Sequence, residues 1–590
     1  MDGASRGAMR SAVYGLQRRI TRSKFAADLV RLEASHGAHF DAVHMSTFWQ
    51  RMGRIARTHP QTGEWASANA ELLATSRART LQMLPAMEPR AVVGIAHGIA
   101  SLSVESGPPW DEVWAPVADA LLGHVDALNM QDLSNTAWAL SRAKYGATPL
   151  YDAIASRLEA AAAAGDDGPL MPQAIANSLW AFSAAGVSAP SLYDALAAFA
   201  TPRLADFKAK ELSQLAWAYA KADHAAPHLF DGIAVAAQAK LDFFGPQGIA
   251  NTAWAFATAG RKAPALFDAL ADAATPRLQS FGPQELVNLA WAYASALHAA
   301  PDLFSKVRAR EHRYERWKDQ ELASMAWSFA RLGVEATDLY DAIGRELATR
   351  LPTLGPQPLS TAAWAFAAAN EPCGALFGSR AFGARCAEMT WDNIRQLRQM
   401  HQWELWRTER RFDWPEPSGP LRAAFRAAFE AAPEAAPLGA SSFEGAVCAA
   451  AEAASGVAPT RRAQTAEGYT VDVHLALPGG EIAIEADGPS HFVHVSADDG
   501  APLPSGATAL KRRQLRHFGH RLVSIPSSEW AALGDDAAAQ TEYVRRAMRA
   551  VGFRPETGEV VDAPAEPIAS PAERAAKRAP PLEHVEAEAC

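Results

Sequence analysis

One pattern recurs seven times through the middle of the chain, as QDLSNTAWALSRA, PQAIANSLWAFSA, AKELSQLAWAYAKA, PQGIANTAWAFATA, PQELVNLAWAYASA, DQELASMAWSFARL and PQPLSTAAWAFAAA. Its tryptophans, Trp138, Trp180, Trp217, Trp254, Trp291, Trp327 and Trp364, are separated by 42, 37, 37, 37, 36 and 37 residues. A fixed period in the thirties constrains the architecture severely. Each unit is one supersecondary piece that cannot bury its apolar face alone, so the units must stack on one another.

A second segment follows each tryptophan by about a dozen residues, as in LYDALAAFA, LFDGIAVAA and LFDALADAA, and a Pro- or Gly-bearing turn follows that. Each repeat therefore holds two helices. In the first helix the apolar positions fall at offsets 0, 4 and 7, as Ile249, Ala253 and Phe256, on one face at the helical period. Proline ahead of glutamine suits the first helical position, where the missing N–H costs nothing. Weaker copies precede these at Met45 and Ala91, and DNIRQLRQMHQWELW after Trp364 reads as a terminal cap. Indoles can serve as stacking platforms for bases. A Trp at a constant offset among small residues is first of all what packing between repeats requires.

Two residues after the leading Leu or Ile stands a polar side chain in every copy: Asn135, Asn177, Gln214, Asn251, Asn288, Ser324 and Thr361. Seven residues further on, along the same stripe, are Arg142, Ala184, Lys221, Thr258, Ser295, Arg331 and Ala368. Small residues such as Ala139, Ala255 and Ser328 are expected at the middle of that stripe, leaving room for a ligand. Two uses fit the amide row. It could form an internal ladder bonding the next repeat's backbone, or it could read one base per repeat along a single strand. The change of residue type from copy to copy favours reading. Charge opposes broad attraction, because residues 131–370 hold 20 Lys and Arg against 23 Asp and Glu. Phosphate contacts are therefore expected from local clusters: Lys208 with Lys210, Arg261 with Lys262, and Lys306 with Arg308 and Arg310.

The flanks differ in character. The first 24 residues carry Arg6, Arg10, Arg18, Arg19, Arg22 and Lys24 against Asp2 alone, the composition of an organelle transit peptide or of a basic first helix. From Pro555 eight acids stand against three bases, which reads as an acidic, disordered tail. The four cysteines, at 373, 386, 448 and 590, match neither a zinc site nor a disulfide framework. No apolar run is long enough to span a bilayer, so no membrane partner is expected.

After a linker of Pro- and Ala-rich composition at 408–440 comes a new pattern: a helix from Ser441, strands YTVDVHLAL and EIAIEAD joined at Pro478-Gly479-Gly480, then DGPSHF, the basic helix TALKRRQLRHFG and the strand HRLVSIP. The run VDVHLAL, IAIEADGPSHF and LKRRQLRHFGHRLVSIPSSEW resembles the RAP domain. The upstream repeats resemble octotricopeptide repeats, helical units of organellar RNA-binding proteins. His520 and Ser527-Ser528 depart from the pattern, standing where aromatic residues are common.

The resemblance implies an all-α helical-repeat solenoid, right-handed and of eight or nine helical pairs, followed by a small α/β domain resembling the restriction-endonuclease-like PD-(D/E)xK fold. The expected divisions are a basic segment at 1–39, the solenoid with its cap at 40–407, the linker at 408–440, the RAP domain at 441–552 and the tail at 553–590. It further implies sequence-selective binding of single-stranded RNA in a chloroplast or mitochondrion, in RNA processing, stability, splicing or translation, with other RNA-processing proteins as further partners. Lys511, Arg512, Arg513 and Arg516 on the basic helix are then candidate phosphate contacts.

The nuclease-like fold places carboxylates at strand ends, which Asp472 and Glu485 fit, while Asp487 stands where the motif lysine belongs. No cofactor is expected for a binding protein. A repeat-guided endonuclease would instead use Asp472, Glu485 and Asp487 to hold Mg²⁺, with Glu444 as a further ligand and with Lys511 or Arg512 supplying the missing cation. Otherwise Glu485 pairs with a helix cation and Asp487 closes a turn beside His491. A peptide-binding α-solenoid scaffold is the third reading, and it requires an apolar groove in place of the amide row.

Overall fold

The computed structural model describes residues 15–59, 61–102, 110–165, 170–310, 312–431, 442–494 and 503–561. The chain forms two units, one of Met1–Cys373 with Val493–Leu503 and one of Gly374–Phe492 with Pro504–Cys590. Among the described residues no helix is long and apolar enough to cross a membrane.

The first unit is a stack of helical pairs. Its early members are α1 (Ala42–Thr58), α2 (Pro89–Ala100) and α3 (Asp111–Gly123). The seven repeats open with α4 (Met130–Ala143), α6 (Pro172–Ala185), α8 (Ala209–Lys221), α10 (Pro246–Thr258), α12 (Pro283–Ala296), α14 (Asp319–Leu332) and α16 (Pro356–Ala369). Between them lie α5 (Thr148–Ala164), α7 (Pro190–Ala200), α9 (Pro227–Gln238), α11 (Pro264–Ala274), α13 (Pro301–Ala309) and α15 (Thr337–Thr349). Proline occupies the first turn of α6, α10, α12 and α16, as expected. Each first helix packs on the first helix of the next unit, across buried small residues such as Ser134, Ala137, Ala216, Thr252 and Ala253. The weaker copies belong to the same series. Gly98 of α2 lies so close to α1 that a Cβ there would stand 2.4 Å from the Trp49 carbonyl carbon.

Consecutive repeats are fastened twice over. In three of the second helices the Asp meets a histidine or arginine that follows the next first helix: His224–Asp194 at 2.8 Å, Arg261–Asp231 at 2.6 Å and His298–Asp268 at 2.7 Å. Basic side chains also donate to carbonyls that end the previous unit, Arg277 to Phe244 O at 3.0 Å and Arg310 to Leu278 O and Phe281 O at 3.0 and 2.9 Å. Arg308 pairs with Asp338 at 2.7 Å. Arg261, Arg308 and Arg310, expected in phosphate-binding clusters, are therefore committed to the stack itself.

The basic N-terminal segment belongs to the first unit from residue 15 onward, with Leu16 and Ile20 buried and Gln17 Nε2 donating to Thr47 Oγ1 at 2.6 Å. Residues 1–14 lie outside the described residues, as do 432–440 of the expected linker and the tail from 562.

The second unit begins earlier than its sequence suggests. Helix α17 (Ile394–Glu409), expected to cap the stack, packs on α18 (Gly419–Glu430), a helix inside the stretch read as linker. Arg398 of α17 donates to Ala428 O at 2.9 Å, and Phe425 of α18 is fully buried. The core of the unit runs α19 (Ser442–Ser455), β1 (Thr460–Gln464), β2 (Thr470–Leu477), β3 (Gly480–Asp487), α20 (Gly506–His517) and β4 (Arg521–Pro526), followed by α21 (Ala537–Arg549). The sheet order is β1-β2-β3-β4, antiparallel except for the parallel β3–β4 pair. The β2–β3 turn falls at the expected glycines, and Gly479 has a φ of 84° with Val560 O only 2.3 Å from where a Cβ would stand.

One face of the sheet packs on α19 and α21 through Val447, Val473, Ile484, Val544 and Met548. The other packs Tyr469, Val471 and Leu515 against Leu405 and Phe429. The start of the expected tail is also part of this core, because strands Phe553–Arg554 and Glu559–Val560 pair and bury Phe553 and Val560.

Candidate nucleic-acid interface

The polar row of the repeats lies at the surface. Asn135, Asn177, Gln214, Asn251, Asn288, Ser324 and Thr361 are all half-buried, each flanked in sequence by fully buried residues. An internal ladder would consume these groups. Among the described residues, however, the side chains of Asn135, Asn177, Gln214, Asn251, Asn288 and Thr361 make no hydrogen bond within the protein, and Ser324 Oγ accepts only from Gln320 Nε2 at 3.0 Å.

The middle of the stripe differs from expectation. Ala139, Ala255 and Ser328 are fully buried, because a position four residues after the amide turns toward the neighbouring helix. The surface position is the one three residues on, which is the tryptophan. Trp138, Trp180, Trp217, Trp254, Trp291 and Trp327 are half-buried and Trp364 is buried. From Trp180 to Trp364 neighbouring ring centroids lie 6.1, 6.2, 6.4, 6.5 and 6.2 Å apart. His97, at the corresponding place in α2, lies 4.8 Å from Trp138. The packing role expected of the indoles is thus met by a ladder of ring on ring. A base inserted between two rings needs two contact distances, about 7 Å in all, so the ladder is closed to intercalation.

The position seven after the amide completes the stripe. Arg142 and Lys221 are exposed and Arg331 is half-buried. Burial alone pulls the Arg331 guanidinium below its ordinary value, and among the described residues no carboxylate pairs with it.

The basic helix α20 is differently occupied. Lys511 Nζ lies 2.7 Å from Glu485 Oε2 and donates to Thr470 O at 2.7 Å. Arg512 bonds Asp487 Oδ2 at 2.5 Å and Ser524 Oγ at 2.6 Å, and its guanidinium lies 5.7 Å from the Phe492 ring centroid. Arg513 reaches Glu409 on α17 at 2.7 Å. Three of the four cations expected to bind phosphate therefore hold the unit together, and of the four only Arg516 is exposed.

Each carboxylate of the expected nuclease set is also engaged. Asp472 Oδ2 accepts from the Ala486 N–H at 2.8 Å, taking the place of a ladder bond where β2 and β3 splay. Asp487 accepts from Ser524 Oγ and lies 2.7 Å from His491 Nδ1. Burial pushes Glu485 up to about 7 despite the opposing Lys511. Burial also presses Asp487 upward, but His491, Arg512 and Ser524 together hold it below the usual carboxylate value. This donor set does not fit Mg²⁺. Lys511 and Arg512 are ion-paired with Glu485 and Asp487, and among the described residues no group of three or more His, Cys, Asp and Glu is arranged to hold an ion. Glu444 on α19 joins no such group.

Sequence reasoning missed two features of this face: the half-buried, surface-lying position of the Trp ladder, and a row of long polar side chains at Gln131, Gln173, Lys210, Gln247, Gln284, Gln320 and Gln357. The signal for the second was the repeated Pro-Gln pair, read there only as a helix start.

Residues 484–547 match the RAP domain family, and residues 169–337 match the family described as RNA-editing substrate-binding complex 6 protein. The first match covers the second half of β3 and all of α20 and β4; the second covers α6 through α14 and the first residue of α15. A curated protein of Oryza sativa subsp. japonica, described as "RAP domain-containing protein, chloroplastic", is 44% identical over 84 residues, 14% of this chain and 12% of the relative. The chain thus spans about an eighth of that relative's length. A structure described as a homology model of the full-length AP-3 complex in an intermediate open conformation is similar at 11% identity, covering 68% of this chain and 86% of that one, with a TM-score of 0.22.

Proposed function

We propose that this protein binds single-stranded RNA along the first-helix layer of its repeats and serves organellar RNA processing, stability, splicing or translation. What carries the reading is the amide row: seven hydrogen-bonding tips at one per repeat, at the surface, six of them without a bond inside the protein and differing in kind from unit to unit. Helical-repeat proteins that read RNA use such side chains, one base per repeat. The spacing of the ladder fits an opened strand. Nucleotides stacked as in a duplex advance about 3.4 Å each, whereas the indoles are spaced at 6.1–6.5 Å. The RNA-editing name of the matched family and the chloroplast in the rice relative's name point the same way.

The RAP region acts as a binding or recruiting domain. Glu485 and Asp487 are paired with Lys511 and Arg512, and Asp472 accepts a backbone N–H, which favours this reading over an endonuclease built on the three. The peptide-scaffold reading needs an apolar groove, and the amide row is polar.

Selection from a random pool of single-stranded RNA tests the proposal. The intact protein enriches a motif of roughly one nucleotide per repeat, and Asn251→Ser changes the base preference at a single position of it. A pool that stays random after repeated rounds overturns the reading.

A further inference from the structure

The repeats carry a second surface row, which neither packing nor base reading explains. One helical turn before each amide-row residue stand Gln131, Gln173, Lys210, Gln247, Gln284, Gln320 and Gln357, and the same place in α2 is Arg90. All are exposed except the half-buried Gln320. Gln320 donates to Ser324 Oγ at 3.0 Å, and among the described residues the other side chains have no hydrogen bond or ion pair within the protein.

Side chains with no structural work drift from repeat to repeat. The position seven after the amide does so, running through Arg, Ala, Lys, Thr, Ser, Arg and Ala. The glutamine position does not: it is Gln in six of seven repeats and otherwise Lys, with Arg in α2. These three residue types share a long flexible stem ending in N–H donors. Asp, Glu and apolar residues do not occur there.

A residue that is the same in every repeat says nothing about which base is present. It suits whatever every nucleotide shares, which is the sugar and the phosphate. We propose that the glutamine row, with Lys210 and Arg90 in the same role, donates hydrogen bonds to the phosphate and ribose oxygens of the bound strand, one per repeat, and holds it in register. The row of varied amides and hydroxyls beside it then meets the bases. Neutral donors also account for how repeats with 23 acids against 20 bases could hold a polyanion.

The inference rests on the RNA reading above, and its test separates the two. RNAs enriched by the wild-type protein are titrated against Gln247→Ala/Gln284→Ala and Gln247→Lys/Gln284→Lys by fluorescence anisotropy over a range of salt, with thermal melts to confirm folding. The alanine pair weakens every enriched RNA alike, by roughly several-fold per residue, and leaves base preference unchanged. The lysine pair restores or exceeds wild-type affinity, and its plot of log K against log salt steepens by about 0.7 for each lysine. Alanine variants that bind like wild type, or that alter base preference, overturn the inference while leaving the RNA reading intact. Failure of the wild type to enrich any RNA overturns both.

Discussion

Glu485 and Asp487 stand two residues apart on one face of β3, and the protein drives their acidities in opposite directions. Glu485, 2% exposed, is raised to about 7 mainly by burial. A carboxyl raised on folding contributes stability at acid pH that is lost as pH climbs through its folded value. Asp487 behaves in the opposite sense, contributing above the usual carboxylate range and losing that contribution as pH falls through its depressed value. Lys511→Met therefore destabilises the second unit strongly at about pH 8, by roughly 3 kcal/mol or more, because a buried carboxylate loses its cation. The loss shrinks near pH 5, where Glu485 is protonated. Urea unfolding at both pH values checks this, and an equal loss at both rejects it. Lys511 and Arg512 were legible in the sequence as cations able to reach these acids. That Arg513 is equally committed was not, since its partner Glu409 lies 104 residues away. The amide row was legible because its period is local. The phase of the position beside it was not, because positions three and four residues on differ by 100° around a helix and only packing decides which faces out.

At the scale of elements, the period placed the first helices of all seven repeats, and the Pro-Gly-Gly turn placed β2 and β3. Helix α18 escaped because its flanks, PEPSGP and AAPEAAPLG, read as linker, while the helix itself is held by one buried aromatic, Phe425, and by neighbours distant in sequence. The α1–α2 contact was legible only as a faint repeat. Its close approach depends on Gly98, where any side chain collides with the Trp49 backbone. Gly98→Val is expected to cost about 1–3 kcal/mol through overpacking and to lower the melting temperature. A variant as stable as wild type would mean that the two helices separate at no cost.

For the whole molecule, the sequence conveyed two kinds of architecture but set their boundary at 407, whereas the first unit ends at Cys373. The reason is that α17 carries the charge and aromatic content of a cap, and its true partners, Tyr469 and Gln514, come from the sheet domain: Gln402 donates to the Tyr469 hydroxyl at 3.1 Å and Gln514 Nε2 donates to Gln402 O at 2.9 Å. Because each repeat touches chiefly its neighbours, removing residues 245–281 deletes one 37-residue period and joins Phe244 to Gly282, leaving an equivalent seam. The shortened protein should fold and select a motif about one nucleotide shorter; an unchanged motif length would contradict one-per-repeat reading. The chain of indoles has an optical corollary. Chromophores held this near one another share their ultraviolet excitation, so the intact array should give a split circular-dichroism band that isolated tryptophans lack. Trp403, Trp406 and Trp414 of the second unit lie as close, at 5.6–6.5 Å, so the part of the band that survives replacing these three by phenylalanine would report the unstacking of the repeats on warming, with no label attached.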